Sequence, residues 1–289
     1  MAWTVAIPCS LGRSCYPEPV IGRLLLALAL VAIPTFATYE VSAQRTPTTT
    51  ARPAWLGVAF VPAMGGVRID EVIRDSPADL SGIRAGDVVV ALAGHRTPTP
   101  TSLTAAVLDH DVGDTVSVQI RRAGKVVQVE AALTERLTPG ELLRRRIVNL
   151  AAPVFSLGVI HGKANGNLQE HQGNVVVLAF LSGWCKLCKE SIEPLANLQA
   201  DALGELVVLG ITGDQEDQLS RFVTSHSLPL PMLHDPQLSV HKAYRYDGRV
   251  PAIVVIGRDG LVRYADIGDE LDMDAIVMHA KRAVRESKH

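Results

Sequence analysis

Val175-Val176-Val177-Leu178-Ala179-Phe180-Leu181-Ser182-Gly183-Trp184-Cys185-Lys186-Leu187-Cys188 runs from a block of apolar residues through a Ser-Gly turn into two cysteines separated by two residues. A continuous apolar run of this kind is the pattern of a strand buried on both faces in a parallel sheet. A helix from Cys185 to about Ala200 is expected directly after it. The start of a helix offers unpaired N–H groups and the positive end of the dipole, which stabilise a thiolate and lower the pKa of Cys185. Cys188 lies one turn further on the same face, within reach of a mixed disulfide formed at Cys185. A first thiolate to engage a substrate and a second to release it is chemistry that needs this spacing.

Two other uses of such a pair are a zinc site and a structural bridge. A zinc site requires a second pair of ligands, but there is no other CxxC, and His226, His234 and His241 are spread over separate elements. No metal is therefore expected. A purely structural bridge closing so short a loop would contribute little entropy. Redox catalysis by Cys185 and Cys188 is the reading that the spacing favours.

The strand expected after the CxxC helix is Leu206 to Ile211. It is followed by a helix from Asp214 to His226, a short segment ending at Leu233 and a helix from Pro236 to Tyr244. Pro251 to Ile256 and Leu261 to Ala265 are joined across Arg258-Asp259-Gly260, a hairpin signal, before a last helix from about Glu270. Strand, helix, strand, helix, hairpin, helix makes a three-layer α/β plan.

Upstream the pattern changes to short strands and one helix. Trp55 to Phe60 and Val67 to Val72 alternate or run apolar, and Val116 to Ile120 alternates strictly, as a half-buried strand should. Ser102 to Asp109 reads as a helix with Leu103, Ala106 and Val107 on one face. Thr138-Pro139-Gly140-Glu141 has the spacing of a capping box and opens a connecting helix to about Leu150. Its Arg144-Arg145-Arg146 cluster is read as the wet face of that helix rather than as a patch for anionic lipid or nucleic acid.

The chain has 289 residues, 47% of them hydrophobic, with 28 basic against 30 acidic side chains. That length suits about two domains, and the near-zero net charge argues against a general nucleic-acid binder. Arg13 and Arg23 precede a short apolar run, Leu24 to Ala37, and Val41-Ser42-Ala43 supplies a small-residue cleavage site. Residues 1–43 thus read as a secretory signal or, uncleaved, as a membrane anchor, and either puts the rest outside the cytoplasm. Cleavage would remove Cys9 and Cys15. The expected layout continues with a Thr/Pro-rich linker at 44–53, a small mostly-β domain at 54–134, the connecting helix at 135–150 and an α/β domain at 151–289.

Two family resemblances rest on these residues. Trp55-Leu56-Gly57-Val58, Ser76-Pro77-Ala78, Gly82 to Val89 and Ile120 to Lys125 resemble a bacterial PDZ domain of the HtrA protease type. The resemblance implies a groove between the strand after Leu56-Gly57 and the helix at Ser102, where a partner's C-terminal tail adds as a strand. Trp55, Leu56, Gly57, Val58, Leu103 and Val107 are its expected peptide-binding residues. Ala151 to His289 is similar to the thioredoxin superfamily, in particular the exported TlpA and ResA group. The similarity extends from Ala152-Pro153-Val154-Phe155 through the CxxC and Leu230 to Pro236 to the Val250 to Gly260 stretch. It implies a cis Pro251 facing the cysteines and, with Val250, a backbone platform for the substrate.

Three departures qualify that second resemblance. The family's buried Asp, six residues before the first cysteine, is Ala179 here; its acidic residue three past the second cysteine is Ser191; and its helix proline falls one residue late, at Pro194. Glu190 and Glu193 are the candidates for the missing proton acceptor, with solvent-facing carboxylates as the alternative. Trp184 flanks the site, and Lys186 is expected to favour the Cys185 thiolate. The implied function is an exported thiol-disulfide oxidoreductase, periplasmic or anchored facing the periplasm, working in cell redox homeostasis with no cofactor beyond the redox-active disulfide. Its expected partners are disulfide-bearing clients, an upstream thiol electron donor and a C-terminal peptide at the PDZ domain. Alternatives are a peroxiredoxin-like peroxidase, since Ser182 stands three before Cys185 although Leu178 replaces that family's proline, a PDZ adaptor without catalysis, and a copper-delivering protein.

Overall fold

Alternation of side chains along one buried strand sets the layers of the larger half. In the computed structural model, which describes residues 52–215, 217–218, 223, 228–245 and 248–286, all six residues of the Val175–Phe180 strand are buried. Val175, Val177 and Ala179 share a core cluster with Cys185, Cys188, Ile192, Leu195, Ile276 and Ala280. Val176, Leu178 and Phe180 point the other way, into a cluster with Leu143, Ile147, Val240 and Tyr244. A period of two along a strand covered on both faces gives this division directly.

The chain begins with β1 (Ala54–Trp55), β2 (Val58–Ala63), β3 (Gly66–Val72), α1 (Pro77–Leu80), β4 (Val88–Leu92), β5 (His95–Arg96) and α2 (Pro100–Leu108). β6 (Thr115–Arg122), β7 (Lys125–Ala132) and β8 (Thr134–Glu135) follow. The sheet order is β2-β3-β4-β6-β7, with β5 on β4, while β1 pairs with β8. The expected strand Trp55 to Phe60 is broken at Leu56-Gly57, because Gly57 takes a φ of +89° and turns the chain between β1 and β2. α2 starts two residues earlier than expected, where Thr99 and Ser102 form a capping box around Pro100.

The second half comprises α3 (Pro139–Ile147), β9 (Gly158–His161), β10 (Val175–Phe180), α4 (Lys186–Asp201), β11 (Leu206–Thr212), β12 (Met232–His234), α5 (Ser239–Ala243), β13 (Ala252–Ile256), β14 (Val262–Ile267) and α6 (Met273–Glu286). Its sheet runs β14-β13-β10-β11-β12-β9, with β10 parallel to β11 and antiparallel to β13. β9 is a strand the sequence reading did not contain. α5 is shorter than the expected Pro236 to Tyr244 because Leu238 adopts a left-handed φ of +53° just before it.

The arginine cluster of α3 is not a solvated face. Arg144 donates to Tyr264 Oη and Ala265 O and pairs with Asp266. Arg145 donates to the carbonyls of Arg74 and Asp75, and Arg146 donates to Glu71. Charge pattern alone suggested solvent, but the partners are mostly carbonyls and carboxylates distant in sequence. The expected leader at 1–43, including Cys9 and Cys15, lies outside the described residues, as does much of the expected helix from Asp214 to His226. Among the described residues no helix is long and apolar enough to cross a membrane.

Candidate functional site

β10 ends at Phe180, and the chain turns through Leu181-Ser182-Gly183-Trp184 to deliver Cys185 as the N-cap of α4. Cys185 Sγ accepts the Cys188 backbone N–H at 3.1 Å, so the first turn of the helix already points a donor at that sulfur. The two cysteines form a disulfide, with Cα atoms 5.3 Å apart. Both are buried, whereas Trp184 next to them is 75% exposed. Trp184 therefore presents an apolar surface to solvent at the rim of the disulfide.

Register carries Pro251 to the same edge of the sheet. Phe180 pairs with Ala252 at the start of β13, which sets residues 250–251 beside the loop after β10. The Val250–Pro251 peptide is cis, and Val250 packs against the cluster that contains Cys185 and Cys188. A cleft of about 440 Å³ opens here, lined among others by Ser182, Trp184, Asp214, His241, Lys242 and Val250.

Charges around the pair differ from the expectation. Lys186 is 89% exposed on its side chain and lies 3.6 Å from Glu190, itself 55% exposed, so its field at Cys185 is both screened and offset. Glu193 is also exposed. Neither glutamate is a buried proton acceptor. Ala179 is fully buried against the cysteines and leaves an apolar wall where the family places an aspartate.

Asp214 escaped the sequence reading. Its carboxylate accepts Ser182 Oγ–H at 2.6 Å and the Gly183 N–H at 2.7 Å, tying down the loop that carries Cys185. Its own N–H donates to Thr212 Oγ1, and its carbonyl faces His234 Nε2 at 3.0 Å. The signal was available in the plan: the parallel register of Phe180 with Ile211 brings the two strand ends together, and open α/β sheets build sites at such carboxyl ends. Asp235 and His241 form a second polar pair, Nδ1 to Oδ2 at 2.7 Å. Burial alone pushes the Asp235 pKa up, but hydrogen bonds from His241 and Ser239 outweigh it and hold the carboxyl below its ordinary value. Among the described residues there is no group of three or more metal-ligating side chains.

In the smaller half, all six expected groove residues line one cleft of about 480 Å³ between β2 and α2. Leu56 O accepts the Ala78 N–H, and Gly57 O accepts Ile73 N–H and Ser76 Oγ–H. Because a trans peptide is planar, the N–H groups of Gly57 and Val58 point opposite to these carbonyls, away from the domain interior. Arg136, which sequence reasoning passed over, lines the same cleft on an exposed side chain.

The class follows from these two halves: a PDZ domain precedes a thioredoxin-like domain that carries a CxxC disulfide. Residues 54–133 match the PDZ domain family and residues 148–265 the AhpC/TSA family. The chain is similar to thioredoxin-like protein YneN of Bacillus subtilis, 26% identical over 121 residues that make up 40% of this chain and 69% of that protein. It is also similar to serine protease Do-like HtrA of Lactobacillus helveticus, 37% identical over 68 residues, 24% of this chain but only 16% of the protease. A structure from Chlorobium tepidum, provisionally assigned as thiol:disulfide interchange protein DsbE, superposes with a TM-score of 0.44 at 23% identity, covering 47% of this chain and 97% of that one.

Proposed function

We propose that this protein is an exported thiol-disulfide oxidoreductase whose PDZ domain recruits its clients. The observation that carries the reading is the Cys185–Cys188 disulfide at the N-terminus of α4, beside the cis Val250–Pro251 peptide. In the reduced protein the Cys185 thiolate attacks one sulfur of a client disulfide, forming a mixed disulfide and releasing the other client sulfur as a thiolate. Cys188 then attacks Cys185, closing the intramolecular bond and releasing the second client thiol. Two electrons pass from protein to client, and an upstream dithiol donor returns two electrons and two protons. The backbone at Val250 and Pro251 lies where the client strand would rest, with Trp184 as its apolar border.

At the PDZ groove the occupant is a client's C-terminal segment, its carboxylate held by the Gly57 and Val58 N–H groups with Arg136 as the nearby cation. Export follows from the reading of residues 1–43 and places the chemistry among disulfide-bearing proteins.

A second reading, a thiol peroxidase, is favoured by the AhpC/TSA family match. Against it, the Ser182 hydroxyl is engaged by Asp214, and Leu178 stands where a peroxidase would carry proline. Hydrogen peroxide turnover distinguishes the two.

The direct test is trapping. Cys188→Ser is expected to accumulate mixed disulfides with clients and Cys185→Ser is not; equal trapping by both, or by neither, overturns the assignment. Repeating the trap with Arg136→Glu added lowers the yield if the groove recruits, whereas an unchanged yield removes recruitment and leaves the redox reading standing.

A further inference from the structure

We propose that Asp214 is the positioning residue of the dithiol, raising the pKa of the Cys185 thiol and making the pair more reducing; the inference rests on the thiol-disulfide reading above. Three observations meet at this residue. Its two carboxylate oxygens take the Ser182 hydroxyl at 2.6 Å and the Gly183 N–H at 2.7 Å, and the carbonyl of the same Ser182 accepts the Cys185 N–H at 3.2 Å. The carboxylate is thereby fixed to the short loop that presents the attacking sulfur. It also lines the cleft with Trp184 and Val250, on the side from which a client would enter.

Among the described residues no buried carboxylate sits behind the disulfide, since Ala179 fills that position, and Glu190 and Glu193 face solvent. Among the described residues, the other charged or titratable groups around the loop are Lys186 on α4, His234 on β12, Asp235 held against His241, Lys242 on α5, Asp217 beyond Asp214, and Arg249 before the platform. Lys186, Lys242, Asp217 and Arg249 are exposed, so water and salt screen them strongly. Asp214 is half-buried and held by two donors. A fixed negative charge disfavours a neighbouring thiolate, opposing the helix dipole and the Cys188 N–H that favour it. Destabilising the thiolate destabilises the reduced state, which shifts the couple toward giving up its electrons.

The experiment uses the reduced full-length chain and reads alkylation of Cys185 against pH, by mass spectrometry of the peptide that carries it. Asp214→Asn is expected to increase the thiolate fraction of Cys185 about three- to tenfold at a pH below its pKa. The equilibrium with glutathione is expected to shift by a similar factor toward the dithiol; tenfold corresponds to about 30 mV for a two-electron couple. Asp214→Ser, which keeps an acceptor for the Gly183 N–H, supplies the same reading should the Asn chain fail to fold. Asp214→Glu is expected to stay near wild type. Ser182→Ala keeps the charge and loses one hydrogen bond, so its titration is expected to stay within twofold of wild type. An unchanged or raised Cys185 pKa in the Asn and Ser chains overturns the proposal, as does an equal fall in Ser182→Ala. Reduction of insulin disulfides by the wild-type protein separately tests the underlying activity, and the titration is informative whichever way that assay turns out.

Discussion

Asp87 shows how a buried carboxylate is made tolerable in the smaller domain. Its side chain is 3% exposed, yet it receives Arg122 Nε and Nη2 at 2.8 and 2.6 Å and the Arg84 N–H at 2.8 Å. Burial by itself pushes its pKa up, and the Arg122 guanidinium and Arg84 N–H more than reverse this, leaving the carboxyl below its ordinary value. The folded state therefore holds its proton less tightly than the unfolded chain. The contribution is complete above the unfolded carboxylate pKa of about 4 and is lost as pH falls through the lower folded value. Asp235 is depressed in the same direction and acts in the same window. Urea midpoints are expected to hold from neutral pH down to about pH 5 and to fall between about pH 4 and 2. Asp87→Asn is expected to cost about 2 kcal/mol at pH 7, discounted from the usual buried-pair figure because Arg122 is a third exposed, and to flatten the acid slope. An equally steep slope in the variant would remove Asp87 from the account.

Among the elements, α3 is fixed to the thioredoxin-like domain by an approach only glycine permits. Leu143 and Ile147 belong to the core on that face of the sheet, and a Cβ on Gly140 would collide with Asp266 Oδ1. Asp266 is held in place by Arg144 at 3.2 Å and by the N–H groups of Ile267 and Asp272. Alanine is the better helix former by about 1 kcal/mol. The clash is nevertheless expected to win, so that Gly140→Ala lowers stability by about 1–2 kcal/mol in urea titration. A stabilised variant would show that Asp266 can move aside. The sequence made the core of this fold legible because Val175 to Phe180 is apolar on both faces and the CxxC directly follows it. It hid β9, whose Gly158-Val159-Ile160-His161 neither alternates nor is deeply buried and is defined only by pairing with β12. It also hid the end of α5's approach, where Asp235 takes the N–H groups of Ser239, Val240 and His241. Asp214 was obscured for a similar reason: 32 residues separate it from Ser182, and only strand register brings them together.

At the scale of the whole molecule, the PDZ domain is braced to its neighbour through polar contacts radiating from α3. Arg145 reaches the carbonyls of Arg74 and Asp75, Arg74 returns bonds to the carbonyls of Arg145 and Val148, and Arg146 pairs with Glu71 at 2.8 Å. Glu71 also lies 4.0 Å from Arg245, six residues before Pro251. On the strand side, Glu71 pairs with Ala59 in β2, which borders the PDZ cleft. Glu71 thus meets the helix that belongs to the redox domain through its carboxylate and the strand that forms the groove through its backbone. Charged hydrogen bonds to carbonyls contribute about 1.5–3 kcal/mol at best, and partly exposed ion pairs about 1 kcal/mol or less, so the brace amounts to a few kcal/mol and is sensitive to salt. Arg145→Ala combined with Arg146→Ala removes its centre without touching Leu143, Ile147 or Arg144, which keep α3 on the sheet. Calorimetry is expected to show the PDZ transition moving down by several degrees while the thioredoxin-like transition stays in place, and salt at about 1 M is expected to move the wild type in the same direction. If both transitions fall together, α3 has left the sheet and the arginines are part of the larger core. If neither moves, the Arg145 and Arg146 side chains do not brace the PDZ domain.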